Sequence, residues 1–160
     1  MTDPTDILNW RRLSDKITTS GQPSEAQLAC LKALGVTNVI NLALHTHERA
    51  LTDEARTVAD LGMAYVHIPV SFDRPDEADY RRFIEAMAAV GEARVHIHCI
   101  MNYRVSAFIY RYQQDIEGLD EVRARAVMES VWRPGGAWAH FISDTAATSL
   151  PHRSAAGQTL

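Results

Sequence analysis

The chain has 160 residues, of which 46% are hydrophobic and 22% charged, and a net charge of -4. That length is enough for one domain with a real core, and the acidic balance excludes nonspecific nucleic-acid binding, which needs a basic face. Two cysteines, Cys30 and Cys99, are too few for a disulfide framework and point to a reducing compartment. Met1 to Leu13 is polar and lacks the apolar core of a signal peptide. No apolar run nears the roughly 18 residues of a membrane span. The expectation is a soluble, cytoplasmic protein without nucleic-acid or membrane partners, its oligomeric state open.

In chain order, Asp6 to Trp10 carries a few apolar residues that would pack on the domain, without a clear period. Lys16 to Thr19 reads as a short edge strand, and Ser20-Gly21-Gln22-Pro23 as a turn. Ser24 and Gln27 form a capping-box pattern ahead of a helix reaching Leu34, with Leu28, Leu31 and Leu34 toward the core and Gly35 at its end. Cys30 lies in this amphipathic helix and is expected to be buried and inert. Val39-Ile40-Asn41-Leu42 is a buried strand, followed by the polar loop His45 to Arg49. A helix is predicted from about Thr52 to Leu61, a strand over Ala64–Val70, and then an acid- and proline-rich loop from Ser71 to Glu77. The helix from Ala78 to Val90 carries the stripe Tyr80, Phe83, Ile84, Met87 and Val90. Helices are predicted again over 105–116, 119–132 and 137–144, with Pro134-Gly135-Gly136 as a break. Strands alternating with helices, punctuated by Gly35, Gly62, Gly91 and Gly118, imply a single α/β domain: a central, mainly parallel sheet flanked by helices. The domain is assigned to residues 1–147, and residues 148–160 to a small, polar, flexible tail.

Val95 to Ser106 carries the chemistry. Val95 and Ile97 alternate with His96 and His98 as in a buried strand, and Cys99 follows at its carboxyl end. A short turn with Asn102 leads to Arg104 and a helix. Free backbone N–H groups and the dipole at a helix start favour negative charge on a thiol or an oxyanion. The planar fork of Arg104 suits phosphate or sulfate.

This His-Cys-loop-Arg stretch resembles the signature of the cysteine-dependent tyrosine and dual-specificity phosphatases. Together with Ser20-Gly21-Gln22-Pro23, Gly35–Leu42 and Gly62–Val70, it is similar to small bacterial members of that superfamily over about residues 7 to 145. Four residues separate Cys99 and Arg104, where the family has five, and Asn102 stands where it has glycine. Asn tolerates the left-handed backbone a turn here requires. The resemblance implies a dual-specificity-phosphatase-like fold and hydrolysis of phosphate monoesters. Cys99 would be the nucleophile and form a phosphocysteine. Arg104 would bind phosphoryl oxygens with the backbone of Ile100, Met101, Asn102 and Tyr103. His98 would order the loop, and Ser106, displaced by one position because Val105 follows Arg104, would stand in for the family's hydroxyl. The loop after Ala64–Val70 would supply the general acid: Asp73, with Asp76 as the second choice and a helix cap as its structural role. Substrates would be phosphorylated small molecules or phosphoproteins, with Tyr103, Phe72 and His45 as candidate walls of a phosphotyrosine pocket. No cofactor is expected.

Other readings of the same residues are a sulfurtransferase carrying a Cys99 persulfide, to which the short loop is suited, and a degenerate phosphatase that binds phosphate without turnover. His96 is expected to be a core histidine. His45-Thr46-His47 invites a metal reading with His67, His96 or His98, but no ligand pattern completes a site, and no metal is assigned.

Overall fold

The computed structural model describes residues 2–160. Five strands form the central sheet: β1 (Arg11–Arg12), β2 (Ile17–Ser20), β3 (Asn38–Asn41), β4 (Ala64–His67) and β5 (Val95–His98), in the order β1-β2-β5-β3-β4. All neighbours are parallel except β1 and β2. The mainly parallel α/β sheet is thus as expected. The strand near Lys16 is not an edge, because β1 pairs outside it; two residues of β1 are too short to show a period in sequence. The helices are α1 (Glu25–Ala33), α2 (Glu54–Asp60), α3 (Glu77–Val90), α4 (Tyr103–Asp115), α5 (Glu121–Glu129) and α6 (Gly136–Phe141). The Ser24–Gln27 capping box forms, and Asp53 and Asp120 cap α2 and α5. No described helix is long and apolar enough to cross a membrane.

The alternation of side chains along the strands divides the core in two. Val39 faces Leu28 and Leu31 of α1 and Val58 of α2. Ile40 and Ile97 face the larger layer built from Phe83 of α3 and Val105, Phe108 and Ile109 of α4. Cys30 is exposed, contrary to expectation: the buried face of α1 is carried by Leu28 and Leu31, and Cys30 lies off that stripe.

Residues 148–160, expected as a flexible tail, fold back onto the domain. A last strand, β7 (Arg153–Ser154), pairs antiparallel with β6 (Trp132–Arg133). The Gly136 N–H donates to the Leu150 carbonyl at 3.1 Å, and the Gly135 N–H to His152 Nδ1 at 3.0 Å. A β-carbon at Gly135 would collide with the Leu150 and Pro151 carbonyls, so this return path requires glycine. His152 packs on Trp132 and Phe72, which brings the end of the chain close to the loop after β4.

Candidate active site

The carboxyl ends of β5 and β3 lie at the centre of the sheet, where ligands of α/β proteins collect. β5 delivers Cys99 there, fully buried. Asn102 then takes a left-handed conformation (φ 69°, ψ 6°) and opens α4. The four-residue loop therefore turns at the position where asparagine replaces glycine. Among the described residues, the backbone N–H groups from Ile100 to Val105 have no acceptor within the protein. A run of free N–H groups at a helix start is an anion-binding geometry.

The loop is held from behind by the Ser-Gly-Gln-Pro turn. The Gln22 N–H donates to the Ile100 carbonyl at 3.0 Å. Gly21 lies so close beneath the same carbonyl that a β-carbon there would overlap it. Asn9 Nδ2 donates to the Met101 carbonyl, and Asn102 Nδ2 donates to the Asn9 carbonyl and Thr19 Oγ1. The Asn102 side chain thus ties the loop to the N-terminal segment, and only its backbone serves the turn.

Two histidines of β5 point to the α1–α2 face. Ser20 Oγ donates to the Gly21 carbonyl and accepts from His96 Nε2, at 2.7 Å each. That places the His96 proton on Nε2 and leaves Nδ1 to accept from Thr18 Oγ1 at 2.8 Å. Burial, helped by the charge on His98, drives the His96 pKa well below its ordinary value, so it is a neutral core histidine. His98 differs. Its Nε2 faces Glu54 Oε2 at 2.6 Å, and its Nδ1 faces the Cys99 carbonyl at 3.0 Å. Both ring nitrogens thus face oxygen partners, and the ring is held between them. Burial pushes the Glu54 carboxyl up, but the hydrogen bonds from His98 and Gln22 and the charge on His98 outweigh it and hold it below its ordinary value. The buried Glu54–His98 pair is a backing for the loop that the sequence did not disclose. A glutamate at the start of a helix reads as a partner of the helix dipole.

Arg104 is 7% exposed, and its Nη1 donates to the Val70 carbonyl at 2.9 Å. Its guanidinium lies 5.6 Å from the centre of the Phe72 ring. Among the described residues no carboxylate pairs with it, and its Nε has no partner. A buried, unpaired cation is costly unless an anion completes it. Arg104 and Cys99 open onto one cavity of about 350 Å³, whose other walls are His47, Phe72, Ile100, Met101 and Tyr103. The Tyr103 ring stacks on Trp132 at 4.6 Å.

The structure brings Cys99, Ile100, Met101, Tyr103 and Arg104 together at this cavity, with Asn102 and His98 behind it. It does not bring Asp73 there. In the loop after β4, Phe72 turns inward to the cavity, and Asp73 faces a neighbouring surface hollow with Glu77 and His140. Asp76 caps α3, donating nothing and accepting from the Ala78 N–H at 2.6 Å. Ser106 is also diverted: its hydroxyl donates to the Tyr103 carbonyl at 3.0 Å, as hydroxyls in a helix's first turn commonly do. His45, expected as a wall, instead stacks on His67 at 3.7 Å. The wall is His47, two residues on. Among the described residues no group of three or more His, Cys, Asp or Glu is placed to hold a metal.

No known family model matches the chain. The structure of a DUF442 protein from Shewanella putrefaciens, classed with the phosphatases, has a TM-score of 0.78 and 31% identity, covering 91% of this chain and 95% of that one. The chain belongs to the DUF442 branch of the cysteine-dependent phosphatase superfamily. The phosphatase-superfamily fold extends further: TpbA of P. aeruginosa, solved in complex with pTyr, has a TM-score of 0.64 at 24% identity, covering 81% of this chain and 75% of that one. A curated relative of this DUF442 chain is a beta-lactamase hydrolase-like protein of Agrobacterium fabrum, 35% identical over 91 residues. That match takes in 55% of this chain and 21% of the relative, so the chain spans about a fifth of that protein's length.

Proposed function

We propose that this protein hydrolyses phosphate monoesters through a phosphocysteine on Cys99. The observation that carries the reading is Arg104: a buried guanidinium without a carboxylate, opening onto the same cavity as Cys99. A tetrahedral dianion satisfies both Arg104 and the free N–H groups from Ile100 to Val105. The Cys99 thiolate attacks phosphorus, the ester oxygen leaves, and water then releases phosphate. His98 and Glu54 act from behind, holding the Cys99 carbonyl and so the entry to the loop. Phe72 and Tyr103 offer aromatic walls suited to an aryl phosphate such as phosphotyrosine, the ligand named for the TpbA complex.

The test is turnover of an aryl phosphate by wild type, Cys99→Ser and Arg104→Ala across about pH 5 to 8. Wild-type turnover is expected to disappear in Cys99→Ser and to fall by about 10³-fold in Arg104→Ala, the scale of losing a group that stabilises charge in the transition state. Folded wild type with no more turnover than Cys99→Ser overturns the reading. One observation favours a second reading in that event. Only four residues separate Cys99 and Arg104, and no carboxylate lines the cavity. Transfer of sulfane sulfur from thiosulfate to the Cys99 thiolate, with sulfite leaving, needs no proton donor. A persulfide on Cys99 after thiosulfate treatment supports it. Phosphate binding without turnover or persulfide marks a non-catalytic binding site.

A further inference from the structure

We propose that His47 is a further catalytic residue, whose Nε2–H binds the leaving-group oxygen where the family's aspartic acid would be expected. The inference rests on the phosphatase reading above and goes beyond it. His47 lies in the loop between β3 and α2. That loop is closed by the His47 N–H donating to the Leu44 carbonyl at 3.3 Å and the Ala50 N–H to the His47 carbonyl at 3.0 Å. The imidazole is fixed as well: its Nδ1 accepts from the Arg49 backbone N–H at 3.0 Å. A ring nitrogen that accepts carries no proton, so the neutral ring bears its hydrogen on Nε2. That N–H has no acceptor within the described protein, and His47 forms part of the wall of the Cys99–Arg104 cavity.

The rest of the wall narrows the choice. Among the described residues lining the cavity there is no aspartate or glutamate, and Asp73 and Asp76 face elsewhere. The Arg104 fork and the loop N–H groups suit the transferring phosphoryl oxygens. A leaving oxygen sits on the far side of phosphorus from the attacking sulfur, since displacement at phosphorus is in line. It needs a donor that belongs neither to the loop nor to Arg104, and His47 is carried by a different segment from both. In the first step the thiolate electron pair forms the S–P bond, the P–O bond breaks, and its pair passes to the leaving oxygen. His47 Nε2–H bonds that oxygen as its charge develops, and solvent supplies the proton of the released alcohol. In the second step a water oxygen bonds to phosphorus, its proton passes to solvent, and the S–P pair returns to sulfur. A neutral imidazole used as a fixed electrophile is sound chemistry for an oxyanion.

The test compares wild type, His47→Ala and His47→Gln on dinitrophenyl, nitrophenyl and phenyl phosphates. A hydrogen bond to the leaving oxygen matters most when that oxygen is most basic. His47→Ala is expected to lose about 100-fold on phenyl phosphate and under about 3-fold on the dinitrophenyl ester. His47→Gln, whose amide places an N–H near the old Nε2, is expected to recover most of the loss. His47 is exposed, so neither variant threatens the core. An equal loss on all three esters, or no loss, overturns the role of His47 and leaves the Cys99 chemistry standing. Wild type that turns over none of the three removes the phosphatase reading and this inference with it.

Discussion

At the scale of single residues, the loop depends on charges placed where water cannot reach them. Glu54 and His98 are both buried and paired at 2.6 Å. Such a pair adds little to stability against an apolar replacement, but removing one partner strands the other. Glu54→Ala leaves the buried His98 Nε2 facing no carboxylate. A loss of about 3–5 kcal/mol in urea unfolding at pH 7 is expected, the range for breaking buried pairs. The pair also sets an acid limit. The folded Glu54 carboxyl lies below its ordinary value of 4.5. Its contribution is therefore complete above pH 4.5 and is lost as pH falls through the folded pKa. In Glu54→Gln that part of the acid-unfolding slope should vanish, which urea titrations between about pH 5 and 3 would detect.

At the scale of elements, the site is a strand end, a short loop and a helix start, braced by a second turn 78 positions earlier in the chain. The brace is the Ser20–Pro23 turn, where Gly21 sits against the Ile100 carbonyl and Gln22 bonds to it and to Glu54. A methyl group at position 21 has to displace either this carbonyl or the turn. Gly21→Ala is expected to cost about 1–3 kcal/mol of stability, the usual range for overpacking. It should also lower aryl phosphate turnover by up to about 100-fold, because misplacing catalytic atoms by an ångström has effects of that size. Turnover equal to wild type would show that the loop does not lean on this turn. The loop after β4 also accounts for the position of Asp73. The chain turns at Phe72 and Asp73, where the Arg74 N–H donates to the Ser71 carbonyl at 3.3 Å. Once Phe72 is drawn inward, where the Trp138 indole N–H donates to its carbonyl at 2.7 Å, Asp73 is turned out.

At the scale of the whole molecule, the chain's last residues are part of the domain's fabric. Residues 148–160 cover Trp132, bond to the backbone of Gly135 and Gly136, and set His152 against Phe72, a wall of the cavity. Truncation after residue 147 removes those hydrogen bonds and the aromatic contacts. A loss of about 2–4 kcal/mol is expected, at about 1 kcal/mol for each hydrogen bond and a similar amount for each aromatic contact. Thermal unfolding of the truncated chain checks it; an unchanged midpoint would restore the boundary at residue 147.

What the sequence determined by itself was local. Strand alternation in Val95–His98, the capping box at Ser24, the apolar stripe of α3 and the Cys99–Arg104 loop with a left-handed Asn102 all follow from residues a few positions apart, and the structure contains each of them. The parallel α/β order followed as well, because helices between strands leave few other solutions. Only the tertiary structure decided which polar groups meet. Glu54 reaches His98 across 44 positions, and His47 arrives at the cavity from a loop whose paired histidines read only as an incomplete metal pattern. Asp73 misses it, and the polar end of the chain returns to cover Trp132. Periodicity records which face of an element is buried. It does not record which buried polar group on that face finds another, since that depends on register and packing between segments far apart in the chain.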